Sequence, residues 1–221
     1  MKYILILLFL INSIYGYNKN IETRNIYKQT KLSWLDLRNK NLVSQKFDYS
    51  CGSASLATIF KYFYNKNISE SDILETILAD NKELKEKNGN ILFSFLDLAN
   101  VAIKNKFKTF SLELDFSTLK KLKIPAILYI IIRKEAHFTV FRAIDNNYIY
   151  LADPSFGNIK ISLEKFKEMF KTNKNKGKLL LIIPKDKIAL NYEFMNIERR
   201  ETSFFERSPY INKKNRYKNK Y

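Results

Sequence analysis

Four residues in this chain have types and spacing that could do chemistry together. Cys51 is the only cysteine and His137 the only histidine. A thiol attacks a carbonyl only as the thiolate, so it needs a base, and imidazole is the usual one. Asp153 follows His137 at the end of the next β-type run and could hold the ring in one tautomer. Gln45 precedes the cysteine, and its amide could donate to an oxyanion; losing one such donor typically costs about 2.7–4 kcal/mol of transition-state stabilisation. Cysteine, histidine, carboxylate and an upstream glutamine are the parts of a thiol hydrolase.

Residues 45–60, QKFDYSCGSASLATIF, place the nucleophile. Asp48, Tyr49 and Ser50 offer N-cap side chains, and Ala54, Leu56, Ala57, Ile59, Phe60 and Phe63 form a broad apolar helical face. Cys51 then lies in the first helical turn, where open N–H groups and the helix dipole favour a thiolate. Gly52 is expected to give a substrate close access to the backbone. A free cysteine is more often a small buried apolar residue; the Gln45 spacing and the helix start argue against that here.

FDYSCGSASLATIFKYFY resembles the nucleophile segment of the double-glycine leader peptidases, the bacteriocin-processing cysteine peptidases. HFTVFRAIDNNYIYLADPSFGNIKISLEKF resembles that family's second motif, in which the histidine opens one strand and Asp-Pro closes the next. The resemblance covers residues 37–184 and is greatest to exported single-domain members. It implies a papain-like fold with Cys51 as nucleophile, His137 as base, Asp153 as orienting carboxylate and Gln45 as oxyanion donor. None of the four departs from the family pattern. The implied reaction is peptide cleavage after a Gly-Gly-like pair, with no cofactor.

Composition narrows the alternatives. At 221 residues and 46% hydrophobic, the chain can build one globular domain with tails. One cysteine excludes an internal disulfide and a cysteine-based zinc site, and one histidine argues against a histidine-rich metal site. The formal charge of +17 is scattered rather than gathered in a stripe, so it reads as a solvated surface and no nucleic-acid partner is expected.

Residues 1–17 read as an export signal: Lys2, then the unbroken apolar run 4–11, then Ser13 and Gly16 near a cleavage point. The run is too short to span a bilayer, which takes about 20 residues. The expected location is periplasmic or extracellular, with membrane contact only through an uncleaved signal. Residues 18–36 read as a flexible arm. Residues 185–221 read as a basic polar tail, poorly ordered from Arg207. The domain at 37–184 is expected to be a monomer that acts on a peptide or on another exported protein.

Within the domain, helices are expected at 51–63, at 70–78 behind the cap Ser69-Glu70-Ser71-Asp72, and at 94–104. A charged loop at 81–90 separates the last two. Strands are expected at 107–114, 125–132, 136–144, 148–153 and 178–184, with short helices at 115–122 and 162–170. The hairpin at 145–147 sets a condition. Faces alternate along a strand, so a two-residue Asn146-Asn147 turn leaves His137 and Asp153 on opposite faces. They meet only if the loop has three residues or the strand carries a β-bulge.

The sequence therefore predicts an α+β papain-like fold: a helical lobe led by the Cys51 helix, packed on an antiparallel sheet that carries His137 and Asp153. Two other readings stay open: a catalytically silent peptide-binding module of this fold, and a basic protein that binds nucleic acid or anionic envelope polymer.

Overall fold

The computed structural model describes residues 33–80, 93–172 and 175–197. The expected export signal, most of the arm, the charged loop at 81–90 and the tail beyond 197 lie outside the described residues. One compact unit begins at Trp34. It opens with a short helix, Trp34–Arg38, which crosses the expected boundary between arm and domain.

The sheet has six strands: β1 (Phe107–Leu114), β2 (Ala126–Ile132), β3 (Glu135–Ile144), β4 (Tyr148–Asp153), β5 (Gly157–Ser162) and β6 (Gly177–Pro184). Their order is β1-β6-β2-β3-β4-β5, and every neighbouring pair is antiparallel. β2 lies in the middle, which explains its unbroken apolar sequence: a strand covered on both faces has no solvent side to make polar. Ile127 joins one core, and Ala126, Leu128 and Ile130 join the other.

The first core lies under the helices Cys51–Tyr62, Glu70–Asp80 and Phe95–Lys104. Leu56, Ile59, Phe60, Ile73, Ile77 and Leu98 pack there with Ile127, Val140 and Leu180 of the sheet. The Cys51 helix is buried almost all round, from Gly52 to Phe60. The second core puts Leu119, Phe166 and Phe170, from the short helices Phe116–Leu119 and Leu163–Phe170, on Leu128, Ile130, Phe141 and Leu151. Each such side chain removed from water is worth about 1.5–3 kcal/mol, so these two layers hold the fold together. The expected α+β architecture is the one found.

Local signals fix the helix starts. Asp97 N–H donates to Ser94 Oγ at 3.3 Å and Ser94 N–H to Asp97 Oδ2 at 2.8 Å, a reciprocal cap. Ser69 and Asp72 do the same at 2.9 and 3.1 Å. Asp115 caps its short helix through the Thr118 N–H at 2.7 Å.

Two parts of the fold were not expected. β5 follows Asp153-Pro154 directly and forms the edge of the sheet beyond β4. The chain also goes on packing past Pro184. Lys185 N–H donates to Lys106 O at 3.0 Å, and Asn191 binds back to the Cys51 helix through the carbonyls of Phe63 (2.9 Å) and Tyr62 (3.0 Å). The 3₁₀ turn Tyr192–Met195 then buries Phe194. The domain therefore reaches at least Met195, beyond the expected boundary at 184. Among the described residues, no helix is long and apolar enough to cross a membrane.

Candidate active site

The β3–β4 hairpin uses the bulge. Near its tip Ile144 faces Ile149 and Ala143 faces Tyr150; beyond the shift Phe141 faces Leu151 and Val140 faces Ala152. Arg142 is the extra residue of β3, and it restores the register that puts His137 and Asp153 on one face. A charged side chain at a buried bulge needs partners. The Arg142 guanidinium is 1% exposed; it donates to Asn158 Oδ1 at 2.9 Å and to the Phe194 carbonyl at 2.8 Å, and it lies over the Phe194 ring.

With the register set, His137 Nε2 meets Asp153 Oδ2 at 2.9 Å. The carboxylate is fully buried and the imidazole 13% exposed. The other oxygen, Asp153 Oδ1, accepts the N–H groups of Ser155 and Phe156, each at 3.0 Å. Asp153 therefore cannot swing away without leaving two amides unpaired, and it makes Nε2 the nitrogen that carries a proton. Burial by itself would lower the imidazolium pKa. The hydrogen bonds to Asp153 and Cys51, with the charges behind them, outweigh burial and push it up to about 10.

Cys51 is the partner on the other side of that ring. With Nε2 held by Asp153, the nitrogen left for the thiol is Nδ1. Cys51 is half-buried and opens its helix, whose first turn has no side-chain cap. Gly52 has a different task from the one expected of it. A Cβ there would stand 3.1 Å from Phe138 Cδ2 and 3.3 Å from Leu98 Cδ1. The missing side chain faces the core rather than a substrate, and it lets the start of the Cys51 helix close on the strand that carries His137.

The loop before Cys51 is pinned from below. Glu70 is 2% exposed, and its Oε1 accepts the Lys46 N–H at 2.9 Å and the Ser50 hydroxyl. Ser50 Oγ also accepts the Phe47 N–H, at 3.2 Å. Gln45 is tied into the same region. Its N–H donates to Pro154 O at 3.1 Å, its Oε1 accepts from Ser155 Oγ at 2.6 Å, and its Nε2 donates to the carbonyls of Phe47 (3.0 Å) and Asp48 (3.3 Å). Gln45 thus bridges the loop before the cysteine and the turn after the aspartate, with its amide N–H groups on protein carbonyls. Among the described residues, no group of three or more His, Cys, Asp or Glu could hold a metal ion.

The sequence profile of the Peptidase C39 family matches residues 39–187. This chain belongs to the Peptidase C39 family. It is 33% identical over 142 residues to the "Probable functional amyloid protease FapD" of Pseudomonas aeruginosa, a match that covers 64% of this chain and 61% of that protein. The chain thus spans about three fifths of that relative's length. Among solved structures it is similar to the peptidase domain of Streptococcus ComA, a bi-functional ABC transporter involved in quorum sensing. That similarity has a TM-score of 0.53 and 26% identity over 65% of this chain and 97% of that one. A double glycine motif protease from an AMS/PCAT transporter, solved with its leader peptide, shares the fold at 23% identity and a TM-score of 0.50, covering 65% of this chain and 90% of that one.

Three residues of this C39 site went unnoticed in the sequence. Arg142 stands in a β-type run with no neighbour in sequence that marks its partners. Glu70 lies inside the stretch Ser69-Glu70-Ser71-Asp72, in which Ser69 and Asp72 do the capping. Ser155 stands in an Asp-Pro-Ser-Phe turn, a motif that ends a strand without announcing which side chain its hydroxyl will meet.

Proposed function

We propose that the chain is an exported cysteine endopeptidase, working in the periplasm or outside the cell, that cleaves a peptide bond after a Gly-Gly-like pair. One observation carries the reading: His137 stands between a fully buried Asp153 and the half-buried Cys51 at the open end of a helix. The double-glycine protease and the Pseudomonas amyloid protease, to which the chain is similar, support a peptide substrate. The apolar run at 4–11 supports export.

His137 Nδ1 takes the Cys51 proton, and the thiolate attacks the scissile carbonyl to form a C–S bond. The oxyanion is met by the Cys51 N–H and by Gln45 Nε2, which gives up its longer contact, to Asp48 O. As the C–N bond breaks, the imidazolium protonates the leaving amine. Water then attacks the thioester; its proton passes through His137 to the departing Cys51 sulfur, which restores the thiol. Asp153 acts through the ring it holds.

Full-length protein incubated with peptides carrying an internal Gly-Gly should release two products, read by mass spectrometry. Cys51→Ala should abolish release and leave the fold intact, because the new side chain is only slightly smaller. Turnover near wild type in that variant would sink the proposal. Gly-Gly peptide that binds equally to wild type and variant but is cut by neither would instead make the protein a peptide-binding module.

A further inference from the structure

We infer that Ser155 is a positioning residue for the oxyanion donor: its hydroxyl fixes which end of the Gln45 amide is presented as N–H. The inference rests on the peptidase reading above. A glutamine amide is nearly symmetric in shape, and only its neighbours decide which end is the oxygen. Here they decide clearly. The Ser155 hydroxyl donates to Gln45 Oε1 at 2.6 Å, while the two groups at the opposite end, the Phe47 and Asp48 carbonyls, can only accept.

Without the hydroxyl, Gln45 keeps its backbone N–H tie to Pro154 and its Nε2 contacts to the Phe47 and Asp48 carbonyls, but its oxygen loses its one donor. In the catalytic pose, where Nε2 leaves Asp48, only the Phe47 carbonyl then opposes rotation about the last side-chain bond, and that rotation places an acceptor where an oxyanion needs a donor. Two acceptors facing each other repel, so this pose is inactive rather than merely weaker.

The same residue serves the base by a separate route. Ser155 N–H donates to Asp153 Oδ1 at 3.0 Å, and that bond belongs to the backbone. Substituting the side chain leaves it in place. The turn after β4 therefore sets two parts of the site with two different atoms of one residue, and a side-chain substitution separates them. Ser155 is solvent-exposed, so removing its hydroxyl puts no strain on the core.

The test is a double-mutant cycle between Ser155→Ala and Gln45→Ala on the full chain, with a Gly-Gly peptide as substrate and Cys51→Ala as blank. One neutral hydrogen bond is at stake, so Ser155→Ala should lower kcat by about threefold to tenfold with KM unchanged. Ser155→Thr should restore most of the loss. In the Gln45→Ala background, Ser155→Ala should change nothing further, because its target is gone. The alkaline limb of the pH profile should stay where it is in wild type, since the His137–Asp153 contact is untouched. Wild-type kcat in Ser155→Ala, a full additional loss in the Gln45→Ala background, or a displaced alkaline limb would each overturn the inference. Turnover that survives in the blank would be a failure of the peptidase reading itself, and it is visible before any Ser155 variant is compared.

Discussion

The guanidinium of Arg142 reaches across the fold to the carbonyl of Phe194, 2.8 Å from its Nε, and so ties the bulge of β3 to the segment that follows the last strand. The bulge sets the register of the candidate site, and the C-terminal turn holds the bulge. Arg142→Leu would leave the Phe194 carbonyl and Asn158 Oδ1 without that donor. Each unpaired buried acceptor costs about 1–3 kcal/mol, so the unfolding midpoint in urea should fall well below wild type. Turnover should fall as well, measured where the variant is still folded. An unchanged midpoint would mean that the bulge holds itself.

The titration of His137 makes a prediction with a definite sign. Its folded-state pKa, about 10, lies above the ordinary 6.5. The native state therefore holds this proton more tightly than the unfolded chain does. The stabilisation is complete below about pH 6.5 and is lost as pH rises through about 10. The alkaline limb of kcat should also lie well above pH 6.5, because the imidazolium must protonate the leaving amine. Asp153→Asn keeps the shape and removes the charge. It should draw that limb down toward neutrality and cut kcat with KM little changed. A limb that stays in place in the variant would remove Asp153 from the chemistry and leave it a part in the turn alone.

Gly52→Ala sets two effects against each other. Alanine gains at most about 1 kcal/mol over glycine in a helix, less in the first turn where Gly52 stands, while its Cβ presses on Phe138, which is itself packed between Phe95 and Tyr129. Overpacking of this kind costs about 1–3 kcal/mol. Thermal stability should therefore move by no more than about 3 kcal/mol. Turnover should fall more steeply than stability, since the helix start must back away from β3 and take Cys51 from His137. A melting curve and kcat on one preparation decide it; wild-type kcat would show that Phe138 yields instead.

Much of this was readable before any coordinates. The cap Ser69-Glu70-Ser71-Asp72 announced one helix and the amphipathic run at 94–104 another, and the run at 125–132 could only be a strand covered on both faces. The single cysteine and single histidine left few choices for a thiol chemistry, and residue parity alone required an odd loop or a bulge between His137 and Asp153. What stayed hidden was hidden for physical reasons. β5 has only Ile159 and Ile161 alternating between polar neighbours, and it starts too close to a proline to look like a strand. The segment after Pro184 is polar by count, yet Ile188, Leu190, Phe194 and Met195 are enough to dock it on the cores. Gly52 shows how a residue with no side chain takes its meaning wholly from what surrounds it, and surroundings are not written in sequence order.

Placing the register correction in the strand rather than at the hairpin tip has a consequence for how such a chain can change by insertion and deletion. The tip at Asn146-Asn147 only has to be two residues long, so its identity is open to drift. Losing Arg142 would close β3 into a regular ladder, with Ala143 still opposite Tyr150 and Phe141 still opposite Leu151, so Ile149 and Leu151 stay buried and His137 and Asp153 stay on one face. What such a deletion gives up is the anchor on Phe194 and Asn158. Losing one residue between His137 and Phe141 is another matter, because His137 then changes face and parts from Asp153. A lineage carrying this domain can rewrite its loops freely, yet it cannot shorten that lower part of the strand by a single codon without a second, compensating change in the same hairpin.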